Sequence, residues 1–235
     1  MGRIFEKRKH KMFARFDRMA KAFTRIGKEI SIAVKQGGPY PENNPKLRLA
    51  IQNAKGVNMP KDRVEAAIRR ASSKEEKDFQ EVTYEGYAPH GVPVVVECAT
   101  DNPTRTVANI RLHFSKNGGA MGNSGSVTFL FERRGVFKFD PAKINIDEIE
   151  LDLIDAGAEE IEQGEDEIVI YTKFADFGQM QKFLEAKNLE AKSSEIQFVP
   201  TTTKELSEEH QDEVFKLIEA LEADDDVQHV YHNLA

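Results

Sequence analysis

A glycine-rich segment, a few histidines and a handful of carboxylates mark where this sequence could do chemistry. Gly119-x-x-Gly122-x-x-Gly125 has the spacing of a phosphate-binding glycine loop, in which backbone amides approach a ligand closely. It follows a helical stretch and precedes an extended one, the reverse of the order in a dinucleotide-binding fold. Gly122-Asn123-Ser124-Gly125-Ser126 falls short of a nucleophile elbow because Ser126 stands where the last glycine belongs. His229 and His232 are the closest of the six histidines. Three residues apart on a strand, they face opposite ways and make a poor metal clamp. Glu97 and Asp101 are a carboxylate pair of the ordinary kind found near strand ends. Cys98 ends the run Val94-Val95-Val96-Glu97-Cys98 with no His or cation close by in sequence, so it reads as a small buried hydrophobe. No acid, base and nucleophile assemble and no metal or cofactor is implied. The expectation is a binding protein, not an enzyme.

What the sequence does concentrate is positive charge. Residues 1–74 hold 19 of the 33 Lys+Arg and 6 of the 40 Asp+Glu, a net of +13, while residues 75–235 hold 14 and 34, a net of −20. Clustered cations displace counterions from a phosphate backbone, so the basic head points to nucleic acid. Phe13, Phe16, Ala20, Phe23, Gly27, Ile30 and Val34 recur in steps of three and four, the stripe of a long amphipathic helix over about residues 5–36. At 100° per residue, Lys7, Lys11, Arg15, Arg18 and Arg25 fall on the opposite side, within about 80°. Gly37-Gly38-Pro39 stops that helix. Asn43-Asn44-Pro45 and Asn58-Met59-Pro60 start two more, at about 45–56 and 60–72. Those two helices bury Leu47, Ala50, Ile51, Ala54, Val64, Ala67 and Ile68. The residues expected to meet phosphates are Lys7, Lys11, Arg15, Arg18, Lys21, Arg25, Arg48, Lys55, Lys61, Arg69 and Arg70. Gln52 and Asn53 are the few side chains suited to a base edge, which favours backbone-directed binding.

The elements that must hold these residues follow from periodicity. After Glu75-Glu76-Lys77-Asp78 the pattern turns extended, with strands at 80–86 and 92–99, a helix at 103–116 and a strand over Ser126–Glu132. From Gly135 a second series runs strand 136–139, helix 146–155, strands 158–163 and 167–171, helix 176–186, strand 190–199. That order is the split βαββαβ of a ferredoxin-like sandwich. Helix 207–222 and strand 227–232 then complete the earlier series. The fold class is α+β: an N-terminal three-helix domain (1–76), a discontinuous α/β domain (77–134 plus 200–235) and an inserted ferredoxin-like α/β domain (135–199). No apolar run approaches the roughly 18 residues of a membrane span, and the start lacks a hydrophobic signal segment. With one cysteine, no internal disulfide forms, and a cytoplasmic setting is expected. No membrane and no small-molecule substrate are implied.

The segment Asn117–Gly125 is read as an exposed functional loop, with Gly118, Gly119, Met121, Gly122, Ser124 and Gly125 as its working residues and Met121 as an apolar tip without a core partner. The acidic helix near the end reads first as a solvated surface; the functional alternative is that it repels nucleic acid and so orients the head toward it.

As a group, these segments resemble the YebC/PmpR family of probable transcriptional regulatory proteins, with mitochondrial translational-activator relatives. The matching stretches include Phe23-Thr24-Arg25, Asn44-Pro45-Lys46-Leu47-Arg48, Asn58-Met59-Pro60-Lys61-Asp62, Tyr84-Glu85-Gly86-Tyr87, Thr100-Asp101-Asn102, Arg105-Thr106-Val107, Gly118-Gly119, Gly125-Ser126-Val127 and Phe131-Glu132-Arg133. The chain departs at Gly2-Arg3-Ile4-Phe5-Glu6, where the family opens Gly-His-Ser-Lys-Trp. It departs again at Tyr40 (usually Asp) and Arg63 (usually Asn). The resemblance implies three domains and a cytoplasmic regulator of gene expression. Its nucleic-acid partner is either promoter DNA or ribosomal RNA, the latter in a factor that eases synthesis of proline-rich stretches on the ribosome.

Overall fold

The computed structural model describes the backbone of residues 3–73 and 78–235 and the side chains from Met19 onward. It divides into two compact units, residues 1–78 and 79–235.

The first unit is three helices: α1 (Arg3–Gly37), α2 (Pro45–Gly56) and α3 (Lys61–Ala71). Ile26, Ile30, Ala33 and Val34 of α1 meet Leu47, Ala50 and Ala54 of α2 and Val64, Ala67 and Ala71 of α3. The many alanines let the helices approach closely, so the core is dense although its side chains are small. Asn44 fixes the α1–α2 corner. Its Oδ1 caps α2 by accepting from the Leu47 amide at 3.1 Å, and its Nδ2 donates to the Ala33 and Gly38 carbonyls at 2.7 and 2.9 Å. A Cβ on Gly37 would lie 2.7 Å from that Nδ2, so glycine there makes room for the bracket.

The second unit holds two antiparallel four-stranded sheets. The first has strand order β3-β1-β2-β8, from Ala120–Met121, Gln80–Ala88, Val92–Thr100 and Val227–His232. One face packs against α4 (Pro103–Lys116) and α7 (Glu208–Glu222), burying Tyr84, Val94, Val96, Ile110, Phe114, Val214, Leu217 and Leu221. Cys98 belongs to this core. The second sheet, β5-β6-β4-β7, joins Ala158–Gln163, Ile168–Lys173, Phe131–Phe139 and Ser193–Pro200. With α5 (Ile146–Asp155) and α6 (Phe177–Ala186) it has the ferredoxin-like order. Val95, Val127 and Phe131, with Leu130, Phe198 and Tyr231 against them, join the two sheets. No described helix is long and apolar enough to cross a membrane.

Two local expectations fail. Ser126–Glu132 is not a strand of the first sheet, because the Gly125, Val127 and Thr128 amides are bound by the Glu85 carboxylate and cannot enter a ladder. The two residues Ala120–Met121 take the edge instead, paired with Gly86 and Tyr87. Nor does Gly135 start a new strand. It lies inside β4, where a Cβ would meet the Phe177 ring at 2.8 Å, so this glycine serves packing and not a turn.

The Asn44 bracket yields a test. Asn44→Asp keeps the cap oxygen but faces the Ala33 and Gly38 carbonyls with a carboxylate in place of the Nδ2 donor. It is expected to destabilise the helical unit by about 2 kcal/mol or more, read by chemical denaturation. Stability equal to the parent would remove Asn44 as the corner's bracket.

Candidate nucleic-acid interface

Lys7, Lys11, Arg15 and Arg18 lie on α1 before the described side chains, so their surroundings fall outside the described residues. From Met19 onward the helix carries Lys21, Arg25, Lys28 and Lys35, whose steps place them within about 80° of one another at 100° per residue. The buried residues of α1, from Ile26 to Val34, lie on the opposite side. Lys28 and Lys35 extend the stripe beyond the residues expected from sequence. Lys35, however, reaches Asp78 at 3.1 Å and the Ser73 carbonyl at 3.4 Å, so it also ties down the chain leaving α3.

Arg48 and Lys55 share one stripe of α2, being seven residues apart. Arg48 is half-buried, and its guanidinium donates to the Pro41 and Glu42 carbonyls at 2.9 and 3.2 Å. It organises the turn before α2. Lys61 is exposed and sits 3.7 Å from Glu65, a surface pair of small worth. Arg69 and Arg70 are exposed in the last turn of α3, where cations also offset the helix dipole. Among the described residues neither they nor Lys21 and Arg25 form an ion pair. Arg63 covers the Phe23 ring at 5.5 Å, clamping α3 to α1 through its charge. Asn53 is buried, 6% exposed, and cannot reach a base edge, which overturns the base-reading expectation for it.

The glycine loop has a different basis from the one expected. Met121 is not a free apolar tip: it pairs with Gly86 in the sheet and packs on the α4–α7 core. The working side chain is Glu85, to which the sequence pattern gives no role. It is 4% exposed. Its Oε1 accepts from Gly125 N at 2.7 Å, and its Oε2 from Val127 N and Thr128 N at 2.8 and 2.9 Å. The Gly122 amide donates to the Glu85 carbonyl at 2.8 Å. Gly125 adopts φ +83°, which favours glycine. Gly119 lies where a Cβ would be 2.7 Å from the Tyr87 carbonyl oxygen. The loop is thus a fixed backbone shape, with Asn123, Ser124 and Gly125 facing solvent. Burial opposes the charge on Glu85, but the Val127, Gly125 and Thr128 amides outweigh it and hold the carboxyl below its ordinary value.

The Thr100–Thr106 motif is structural. Asp226 Oδ2 takes Arg105 Nη2 at 2.7 Å and lies 2.8 Å from the Thr106 hydroxyl and 3.2 Å from that of Thr100. Arg105 also reaches Asp101 at 3.0 Å, while Asn102 caps α4 on the Arg105 amide. This network fastens the start of α4 to the α7–β8 junction. Glu97 is elsewhere, accepting from the Tyr231 hydroxyl at 3.0 Å, so Glu97 and Asp101 do not act as a pair. His229 stacks on Tyr231, whereas His232 sets its edge against Phe215 of α7.

The geometry defines a class of protein: a basic three-helix unit followed by two antiparallel sheets, the first carrying an amide-lined glycine loop. Comparison with known proteins agrees. The TACO1/YebC protein N-terminal domain matches residues 3–74, and the TACO1/YebC second and third domain matches residues 79–234. A "Probable transcriptional regulatory protein" of Anaeromyxobacter dehalogenans strain 2CP-C is 58% identical over 240 residues, covering both chains entirely. One from Cytophaga hutchinsonii is 57% identical over 235 residues, covering all of this chain and 99% of its own. The crystal structure of a conserved hypothetical protein from Aquifex aeolicus shares the fold with a TM-score of 0.82 at 39% identity, over 92% of this chain and 90% of that one. The chain belongs to the TACO1/YebC family.

Because Glu85 has a folded value below its unfolded one, its contribution is complete above the ordinary carboxylate range and is lost as pH falls through the folded value. The Gly125, Val127 and Thr128 amides are therefore expected to stay protected from hydrogen exchange at neutral pH and to open only in acid. Glu85→Gln offers one acceptor oxygen for three donors. It should expose these amides at every pH and cost about 2–4 kcal/mol. Wild-type protection in that variant would refute the clamp.

Proposed function

We propose that this chain is a nucleic-acid-binding regulator of gene expression, working on DNA in the transcriptional sense that its relatives' names carry. The helical unit grips the phosphate backbone and no catalytic step is involved. One observation carries the reading: a net charge of +13 in residues 1–74 beside −20 in residues 75–235, with Lys21, Lys61, Arg69 and Arg70 exposed on the helices. A polyanion is drawn to the head and repelled by the body. Burial of Asn53 favours contacts to phosphate over contacts to base edges. The cytoplasm is the setting this partner implies.

A second reading, a ribosome-associated translation factor that relieves stalling on proline-rich stretches, is favoured by the glycine loop. Glu85 spends a buried charge on holding the Gly125–Thr128 end of the glycine loop in one shape, and a grip on duplex backbone by the other unit gives that loop no task. Crosslinking in cells with sequencing of the bound nucleic acid separates the two, since reads gather on promoters in the first case and on ribosomal RNA in the second.

The head itself is tested by salt. Replacing Lys21, Arg25, Arg69 and Arg70 together with alanine should flatten the plot of log affinity against log salt on duplex DNA. The expected change is about 0.9 for each phosphate that the variant no longer neutralises, with the fold intact by circular dichroism. A slope equal to the parent's would mean that the anchor lies elsewhere.

A further inference from the structure

Phe129 is the most exposed aromatic among the described residues, at 71%. It does not sit on a loose tip. The 3₁₀ turn Thr128–Leu130 that carries it is fixed from three directions. Glu85 takes the Val127 and Thr128 amides at 2.8 and 2.9 Å, and the Leu130 amide donates to the Val127 carbonyl at 2.9 Å. From beyond β7, the Thr201 amide and hydroxyl both reach the Leu130 carbonyl at 3.0 Å. Val127 and Phe131 are buried and Leu130 packs against them, so of the four apolar residues in this stretch only Phe129 is turned outward. The other exposed rings of the second unit are covered or tethered: Arg133 lies over Phe174, His232 against Phe215, and the Tyr87 hydroxyl donates to the Ser126 carbonyl. Phe129 has no ring partner among the described residues.

The charge around it narrows the occupant. Residues 75–235 carry 34 Asp+Glu, yet the 30 residues from Asn102 to Phe131 contain none; of their cations Arg111 and Lys116 are exposed, while Arg105 is paired with Asp101 and Asp226. The acid bound to the loop, Glu85, is buried and its oxygens are taken by three amides. The carboxylates of Asp101, Asp224 and Asp226 meet the α4 part of this run, whereas the 117–131 part that carries Phe129 brings no carboxylate of its own toward a phosphate chain. Within that part lie exposed backbone at Asn123–Gly125 and a preorganised aromatic face.

We infer that Phe129 is a stacking platform for an unpaired nucleobase of a single-stranded nucleic acid, with the 117–128 loop alongside its sugar-phosphate backbone. This deepens the nucleic-acid reading above and rests on it. Base–aromatic stacking tolerates any sequence, because every base has a π face, and it requires an unpaired strand because duplex bases are already stacked.

The test uses the full chain with a mixed-sequence 12-mer as RNA, as DNA and as the DNA duplex. Phe129→Ala should weaken single-strand binding by about 5- to 100-fold. Duplex binding, salt slope and melting temperature should not change. The chain has five tyrosines and no tryptophan, so Phe129→Trp supplies a sole indole that can be excited selectively at long wavelength. Its emission should be quenched by the single strand and not by the duplex, and it should restore affinity. The larger loss among the RNA and DNA arms identifies which strand is preferred. Equal single-strand affinity in Phe129→Ala, an equal loss on strand and duplex, or unquenched tryptophan at saturation would each overturn the inference while duplex binding by the head still stands. Loss of duplex binding in the parent would instead fail the head.

Discussion

Glu85 brings two carboxylate oxygens to a place water hardly reaches, and three amides from one short segment converge on them. A buried carboxylate is costly unless such donors surround it. The constraint therefore runs both ways: the loop must wrap to satisfy the acid, and the acid must ionise to hold the loop. Because Glu85 is on β1 and the segment it binds leads directly into β4, the same interaction sets how the chain passes from the first sheet to the second. The apolar cluster of Val95, Val127, Phe131, Phe198 and Tyr231 closes over that passage.

Electrostatics works differently in the first unit. Its described core is mostly small aliphatic side chains, and its brackets include Asn44 at one corner and the Arg63–Phe23 contact between helices. Not all cations there serve a ligand. Arg48 is turned onto carbonyls and Lys35 onto the chain after α3. A count of positive charge thus overstates the number of groups that a phosphate backbone can meet, and the exposed Lys21, Arg69 and Arg70 are the better measure.

Much of this is legible in the residues. Helical periodicity and the Asn-Pro starts locate all three helices, and the split βαββαβ pattern of the second sheet follows from alternation and turns. The failures share a cause. Ser126–Glu132 has the composition of a strand, but its amides are claimed by an acid some forty positions earlier in the chain, which no local pattern reports. Gly135 and Met121 mislead in the same way, because a glycine under an aromatic ring and a methionine at a sheet edge look, in sequence, like a turn and a tip. Asn53 has the right type for base recognition and the wrong burial. Glu85 itself is visible as one of two acids in β1, with Glu81, without any sign of what it binds.

The first sheet is closed by β8, whose Val230 lies opposite Val96 of β2. Every residue of the second sheet is synthesised between those two partners, and α7, which covers the same core, also comes late. A ribosome making this protein will therefore release a finished ferredoxin-like module while β1, β2 and α4 still wait with an uncovered apolar face. The first sheet is thus completed only by the latest of its strands to be made.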